Sequence, residues 1–171
     1  MLMSLMSQPT FPMLTGLYAN ISSMSAINEV TQEISHLITG LDHVGIAVMD
    51  LAQSRDFYEQ TLGLRAHHTE VNQEQGVEEA MLQFSGGGAE IQLLAPLGPD
   101  TTIGRFLAKN GPGIQQMAFT VTDIRAVATL LEARGIRMLY PEPRTGTAGS
   151  LVNFAHPKDC GGVLLEFVQH A

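Results

Sequence analysis

The chain has 171 residues, 44% of them hydrophobic, which is enough for a substantial core in one domain and excludes wholesale disorder. The formal net charge of −8 argues against nucleic acid or an anionic membrane as a partner. The sequence has no run of about eighteen apolar residues, so no transmembrane helix is predicted. The single cysteine, Cys160, cannot form an internal disulfide, which fits a reducing, cytoplasmic environment.

Residues 1–28 carry no charged side chain and are rich in Met and Ser, unlike the rest of the chain. We therefore predict that residues 1–40 form an N-terminal extension that ends in a short helix near Gly40. One interpretation is a partly disordered segment. The other is a segment whose apolar side chains cover a sheet edge or a dimer interface.

Residues 41–99 are predicted to form a first module. The alternating apolar residues of 41–48 indicate a half-buried strand, and Asp50 is a suitable cap for the helix that follows. On that helix we expect Phe57, Tyr58 and Leu62 to face the core. The predicted order is a strand, a helix and three strands, at 41–48, 51–62, 64–69, 77–84 and 89–95.

Residues 100–113 are predicted to be a linker with a short helix, and residues 114–171 to form a second module. This module repeats the order of the first, at 114–121, 124–134, 137–139, 151–155 and 163–169. Each half is then a βαβββ unit, which is an α+β arrangement with the helix on one face of the sheet.

The two modules also repeat one another in sequence. Gln116 lies 73 residues after His43 (116 − 43), within a strand that has the same apolar pattern. The segments at 87–94 and 161–168 match with an offset of 74, which aligns Gln92 with Glu166 (166 − 92). Such a repeat indicates two copies of one supersecondary unit, so equivalent residues can converge in the fold.

The four residues at these equivalent positions can all bind a metal ion. Glu166 lies in an apolar run, where a carboxylate needs a cation or hydrogen bonds to offset its lost solvation. The set of one imidazole, two amides and one carboxylate suits a six-coordinate divalent ion such as Co, Mn, Ni or Mg better than a closed zinc site. Taken singly, His43, Gln92 and Gln116 are more often structural, and it is the repeat that favours a shared metal site.

Several motifs lie in register along residues 41–169, at 41–48, 74–77, 92–96, 106–109, 140–146, 156–158 and 162–166. In these motifs the chain resembles the vicinal oxygen chelate superfamily and, within it, the methylmalonyl-CoA epimerase family. The resemblance implies a glyoxalase/bleomycin-resistance-like fold, in which the two tandem βαβββ modules form a curved mixed sheet around a central cavity. It also implies a homodimer.

The resemblance implies a role for each matching residue. The metal ligands would be His43, Gln92, Gln116 and Glu166, and the catalytic carboxylates would be Glu79 and Glu166. These two would remove and return the hydrogen α to the thioester of 2-methylmalonyl-CoA or a related acyl-CoA, through a metal-stabilised enolate. The chain departs from the family pattern at residues 115–116, where two glutamines replace two histidines. We therefore expect Gln116 to bind borderline metals more weakly than a histidine would.

Two basic residues, Arg144 and Lys158, are predicted to meet the phosphates of coenzyme A. Two other functions are compatible with the sequence. One is an isomerase or cyclase of the same superfamily that acts on another enolisable substrate. The other is a metal-free protein of the resistance type, which binds a small molecule between the modules.

Overall fold

The computed structural model describes residues 33–171, so the prediction for residues 1–32 lies outside the described part of the chain. Two short 3-10 helices, Thr147–Gly149 and Pro157–Asp159, lie in the second half of the chain. The strands and helices are β1 (Ile38–Ala47), α1 (Leu51–Leu62), β2 (Arg65–Asn72), β3 (Val77–Gln83), β4 (Glu90–Pro96), α2 (Thr102–Asn110), β5 (Gly113–Val121), α3 (Ile124–Glu132), β6 (Arg144–Thr145), β7 (Leu151–Ala155) and β8 (Leu165–Gln169).

All eight strands form one mixed sheet, in the order β2-β3-β4-β1-β5-β8-β7-β6, which curls into a half-barrel. The two modules meet where β1 pairs antiparallel with β5. Within the modules, β1 runs parallel to β4 and β5 runs parallel to β8. The pair Gly45–Gln92 and the pair Ala118–Glu166 occupy equivalent places, as the sequence repeat requires. The predicted α+β fold of two tandem modules is confirmed.

The helices α1 and α3 begin at equivalent aspartates. Asp50 accepts a hydrogen bond of 2.9 Å from the backbone N–H of Gln53, and Asp123 accepts hydrogen bonds from two backbone N–H groups of α3. Such caps satisfy backbone donors that the first turn of a helix leaves free. Each helix covers the outer face of its own module, where it packs into a separate hydrophobic cluster. The inner face of the sheet is thereby left for the site.

Two expectations for α1 are wrong. Leu51 is buried and Tyr58 packs against the core, but Phe57 is 53% exposed and Leu62 is 56% exposed. Leu51 and Tyr58 are seven residues apart and share one side of the helix, whereas Phe57 is turned about 100° away from Tyr58. Leu62 lies in the last turn, immediately before the left-handed Gly63 that ends the helix.

The second module is less regular than predicted. The expected strand at 137–139 is reduced to an isolated bridge between Met138 and Ala155, and the two-residue β6 is the outer strand instead. In the first module, β1 begins at Ile38 rather than at residue 41, because Ile38 pairs with Val121 of β5. The prediction of a helix that ends near Gly40 is therefore wrong, since Gly40 lies within this strand.

The helix α2 closes one end of the inner face. Its residues Ile103 and Leu107 pack against Ala47, Val77 and Leu94, which come from three strands of the first module. Within residues 33–171, none of the helices combines the length and the apolar character needed to cross a membrane.

Gly104 allows α2 to pack closely against the turn that precedes it. A Cβ on Gly104 would lie 2.4 Å from the carbonyl oxygen of Gly98 and 2.6 Å from that of Pro99.

Helix propensity alone favours alanine over Gly104 by about 1 kcal/mol, but the clash of the added Cβ with these backbone atoms costs more. We expect Gly104→Ala to lower the free energy of unfolding by about 1–3 kcal/mol in urea titrations. Gly98→Ala is the control, because its Cβ would have no atom within 4 Å. A Gly104→Ala protein of unchanged stability would contradict this packing.

Asp159 ties the turn before β8 to Arg137. Its carboxylate accepts hydrogen bonds of 2.7 Å from Nε and 2.9 Å from Nη2 of Arg137. These bonds hold the pKa of Asp159 at about 2, below its usual 3.8. A carboxyl whose pKa is lowered on folding stabilises the protein above its unfolded pKa, and this contribution disappears as the pH falls through the folded pKa.

We therefore expect Asp159→Asn to reduce the free energy of unfolding at about pH 5, with the difference from the wild type fading between about pH 4 and pH 2. Urea denaturation of both proteins across this range measures the effect. A difference that stays constant down to pH 2 would show that the ion pair contributes nothing through ionisation.

Candidate active site

Five polar side chains are buried together on the inner face of the sheet, near the junction of the modules. Each is at most 7% exposed. We call this set the polar cluster; it consists of His43 of β1, Glu79 of β3, Gln92 of β4, Gln116 of β5 and Glu166 of β8. Buried polar groups are costly unless they are paired, and these residues find most of their partners among themselves.

Gly45 makes room for the cluster at its centre. It pairs with Gln116 across β1 and β5 and with Gln92 across β1 and β4. A Cβ on Gly45 would lie 2.7 Å from Cγ of Gln116, closer than real Cβ atoms approach a neighbour. The missing side chain therefore allows the Gln116 side chain to cross β1 towards the first module.

Asp42 orients His43. Its Oδ1 lies 2.8 Å from Nδ1 of His43, while Oδ2 accepts hydrogen bonds from Thr120 at 2.7 Å and from His170 at 2.6 Å. Burial by itself would raise the pKa of Asp42, but the hydrogen bonds of His43, His170 and Thr120 hold it well below its usual range. With Nδ1–H donated to Asp42, Nε2 of His43 is turned into the cluster, as in histidines that bind metals.

Nε2 of His43 lies 3.2 Å from Oε2 of Glu166, yet it makes no hydrogen bond of good geometry. Burial lowers the pKa of His43, but the hydrogen bond and charge of Asp42, together with Glu166, outweigh burial and raise that pKa to about 9. If Nε2 of His43 were unprotonated, its lone pair would face the Oε2 oxygen of Glu166 and the two would repel each other. A positive charge between these two atoms removes the repulsion. A proton or a metal cation meets that need.

The two amides connect the two carboxylates. Nε2 of Gln116 donates hydrogen bonds to Oε2 of Glu166 and, at 3.2 Å, to Oε1 of Gln92. Nε2 of Gln92 in turn donates to Oε2 of Glu79 at 2.8 Å. Oε1 of Gln92 and Oε2 of Glu166 therefore converge on Nε2 of Gln116, and Oε2 of Glu166 also lies 3.2 Å from Nε2 of His43. Rotation of the Gln116 amide would add its oxygen to this set.

The structure thus brings together all four residues predicted to bind a metal. Within residues 33–171, no group of three or more His, Cys, Asp or Glu side chains is arranged to hold a metal ion. The candidate set fits such an ion only with the amide oxygens included, which suits hard divalent cations more than zinc.

Glu79, predicted to be catalytic, lies at the other end of the hydrogen-bonded chain. The hydroxyl of Thr147 donates to its Oε1 at 2.8 Å, and Glu70 of β2 hydrogen-bonds to it from the neighbouring strand. Burial raises the pKa of Glu79, the bond from Thr147 opposes this, and the Glu70 carboxyl adds to it, so that the pKa lies at about 7. Glu79 can therefore hold or release a proton near neutral pH.

Thr147 enters the site from a strained turn. It accepts a hydrogen bond of 3.1 Å from Gln92 and begins a 3-10 helix in which Ala148 has a φ of 53°. This left-handed conformation is uncommon outside glycine. A Cβ on the preceding Gly146 would lie 2.4 Å from Cγ1 of Val152, so the turn is packed tightly against β7.

Sequence reasoning did not identify Asp42, Glu70 or Thr147 as site residues. Asp42 and Glu70 could have been found, since one precedes His43 and the other faces Glu79 across β2 and β3. Thr147 had no such signal, because it reaches Glu79 over a separation of 68 residues from an irregular turn.

Two cavities flank the polar cluster. The larger, of about 370 Å³, is lined by His43, Glu166 and Thr147. The smaller, of about 220 Å³, is lined by Gln116 and by Arg144, whose guanidinium lies 3.9 Å from the ring centroid of Tyr140. Lys158 is exposed on the helix Pro157–Asp159 and lines neither cavity.

Comparisons with known proteins agree with this geometry. The model of the glyoxalase/bleomycin resistance protein/dioxygenase superfamily matches residues 42–154. The mitochondrial methylmalonyl-CoA epimerase of Homo sapiens is 37% identical over 149 residues, which cover 86% of this chain and 83% of the human protein.

Solved structures are more similar still. Methylmalonyl-CoA epimerase from Mycobacterium tuberculosis is 50% identical, with a TM-score of 0.78 over 80% of this chain and 91% of that one. A methylmalonyl-CoA epimerase in complex with methylmalonyl-CoA and NH4+ is 48% identical, with a TM-score of 0.75 over 78% and 96% of the two chains. The chain therefore belongs to the glyoxalase/bleomycin resistance protein/dioxygenase superfamily and, within it, to the methylmalonyl-CoA epimerase family of isomerases.

Proposed function

We propose that this protein epimerises 2-methylmalonyl-CoA, or a closely related acyl-CoA, by moving the proton α to the thioester. The observation that carries the proposal is the pair of buried carboxylates, Glu79 and Glu166, joined through Gln92 and Gln116 at one site. Inversion at a carbon requires one group to take a proton from one face and another to return a proton to the opposite face. Two carboxylates on different strands of one buried site can supply these two groups: Glu166 lines the larger cavity, and Glu79 accepts a hydrogen bond from Thr147, which lines it too.

The environments of the two carboxylates favour different initial roles. Glu79, whose pKa is raised to about 7, keeps its proton more readily and can deliver it. Glu166, which accepts a hydrogen bond from Gln116 and lies beside Nε2 of His43, is proposed as the partner that takes the proton. The roles exchange when the epimer of opposite configuration is the substrate, because one site serves both directions.

A divalent cation, when bound by His43, Gln92, Gln116 and Glu166, would supply Lewis-acid stabilisation of the negative charge that develops on the substrate. Asp42 fixes the ring of His43 for this purpose, and Gln92 is held by Glu79 and Thr147. The four proposed ligands are at most 7% exposed, and a low exposure to water strengthens their electrostatic effect.

Arg144 is proposed to attract the nucleotide phosphates of coenzyme A. It lines the smaller cavity and is about half exposed, and it is held by Tyr140 and by Glu74 at 3.6 Å. Lys158 is exposed and lines neither cavity, so we propose that it contacts a part of coenzyme A that lies outside them. Homodimerisation and a cytoplasmic location stay predictions.

Solvent deuterium exchange at the α-carbon of methylmalonyl-CoA tests the function directly. With divalent metal supplied, the wild-type protein is expected to exchange this hydrogen and to interconvert the two epimers. Glu79→Gln and Glu166→Gln are each expected to reduce epimerisation at least about 100-fold, because each removes an acid or a base. The readouts are proton NMR for exchange and circular dichroism for inversion.

Glu78→Gln is the matched control for Glu79→Gln. Glu78 is the neighbouring residue of β3 and is exposed, whereas Glu79 is buried, so epimerisation should be unchanged. If the wild type with metal failed to exchange the α-hydrogen, the epimerase function would be refuted. Tight binding of a small molecule by a protein that holds no metal would then favour the resistance-type alternative.

Gln116→His tests the proposed metal site. We expect it to raise the affinity for Co or Ni by about tenfold or more, since imidazole is a better ligand for borderline metals than an amide and the Gln116–Glu166 hydrogen bond no longer competes. Isothermal titration calorimetry with the metal alone measures the change. Gln115→His moves the imidazole one residue along β5 and is expected to leave the affinity unaltered. Equal affinities of wild type and Gln116→His would count against Gln116 as a ligand.

A further inference from the structure

Each turnover of the proposed epimerisation exchanges the protonation states of its two carboxyls. Glu166 takes a proton from the α-carbon and Glu79 gives a proton to it, so Glu79 ends as an anion and Glu166 ends protonated. A further turnover in the same direction requires Glu79 to regain a proton from solvent. Glu166 lines the larger cavity, but Glu79 is only 1% exposed. Glu79 therefore needs a second group that carries a proton to it.

Glu70 of β2 is placed to carry this proton. It lies directly opposite Glu79 in the pairing of β2 with β3, and the two carboxyls are hydrogen-bonded to each other. Two carboxyl groups can form such a bond only when one of them carries a proton. The side chain of Glu70 is 29% exposed, so it connects the buried Glu79 with the surface.

His68 is the next member of this hydrogen-bonded path. It precedes Glu70 by two residues on β2, so both side chains lie on the same face of the strand. Nε2 of His68 lies 2.7 Å from Oε2 of Glu70. An imidazole can hold or release a proton near neutral pH, where an ordinary carboxyl is almost fully ionised. The side chain of His68 is 32% exposed, so it can take a proton from solvent and pass it to Glu70.

The turn at Thr147 and Ala148 holds the two glutamates in place. The hydroxyl of Thr147 donates to Oε1 of Glu79 at 2.8 Å, and the backbone N–H of Ala148 donates to the carboxylate of Glu70. Adjacent residues of one turn thus bind one carboxyl each. The contact between Glu70 and Glu79 is therefore fixed from β7's side of the site as well as by the pairing of their strands.

On the basis of the proposed function, we propose that His68 and Glu70 form a proton relay that reprotonates Glu79 after each turnover. Solvent protonates His68, His68 passes a proton to Glu70, and Glu70 passes a proton to Glu79. Glu166 releases the proton that it took into the larger cavity, so the protein takes up no net proton. The relay runs in reverse when the opposite epimer is the substrate. His68 and Glu70 act through Glu79 and need not touch the substrate.

His68→Ala tests the relay, and His67→Ala is the matched control. The side chain of His67 is 34% exposed and has its own acidic partner, Glu90, at 2.8 Å. Glu90 is the first residue of β4, whereas Glu79 pairs with Leu94 further along that strand. The pair of His67 and Glu90 therefore lies away from Glu79.

Epimerisation is measured with divalent metal supplied, in weakly buffered solution. We expect His68→Ala to lower kcat at least about tenfold and to keep kcat/KM within about twofold of the wild type, because reprotonation follows product release. Added imidazole should restore kcat by protonating Glu70, and it should not alter the His67→Ala protein. An unchanged kcat in His68→Ala, or a loss that imidazole does not reduce, would overturn the relay. If His68→Ala fails to fold, His68→Gln replaces it, with the same expectation for kcat.

Glu70→Gln tests the second member of the relay. Its amide can still donate a hydrogen bond to Glu79 but cannot pass on a proton, so kcat should fall at least about tenfold. Imidazole should not restore this loss, because the missing group lies between the surface and Glu79. A wild-type kcat in Glu70→Gln would overturn the relay and leave the epimerase function intact. A wild-type protein without epimerase activity would instead refute the proposed function, and the relay with it.

Discussion

The hydrogen-bonded chain of buried amides and carboxylates is the constraint that the rest of the structure serves. Gln92 accepts from Gln116 through its oxygen and donates to Glu79 through its nitrogen, so each amide has its orientation fixed by the next. A buried polar group that loses its partner costs about 1–3 kcal/mol, and a charged group costs more. The sheet must therefore hold these side chains in one arrangement, and the left-handed turn at Ala148 is tolerated because it delivers Thr147 to that arrangement.

The pairing of β1 with β5 is what makes this arrangement possible. It sets the two modules about a common centre, so that His43 and Gln92 of the first module meet Gln116 and Glu166 of the second. Because side chains alternate across a strand, a slip of one residue in any of these strands would turn its member of the cluster to the outer face. Helices α1 and α3 oppose such a slip, since each buries the outer face of its own module. The fold therefore protects the register as well as the core.

The same centre has two chemically distinct sides. Arg144, stacked on Tyr140 and paired with Glu74, lines the smaller cavity, while acidic, apolar and histidine side chains line the larger one. A thioester of coenzyme A has an anionic nucleotide at one end and a small acyl group at the other. Specificity in such a site depends on both ends, because contacts with the remote part of a substrate can position its reacting carbon.

The sequence by itself determined the two modules, the helices at 51–62 and 102–110 almost to the residue, and four members of the polar cluster. Apolar periodicity and the internal repeat are local properties, so both could be read without coordinates. The exposed Phe57 and the shortened strand near Met138 could not be foreseen, because burial depends on which neighbouring surface is present. Only the tertiary structure decided that Thr147 reaches Glu79 and that Glu70 shares its hydrogen bonds. Those contacts form only when segments that are distant in sequence pack together, so a short-range pattern of residues does not predict them.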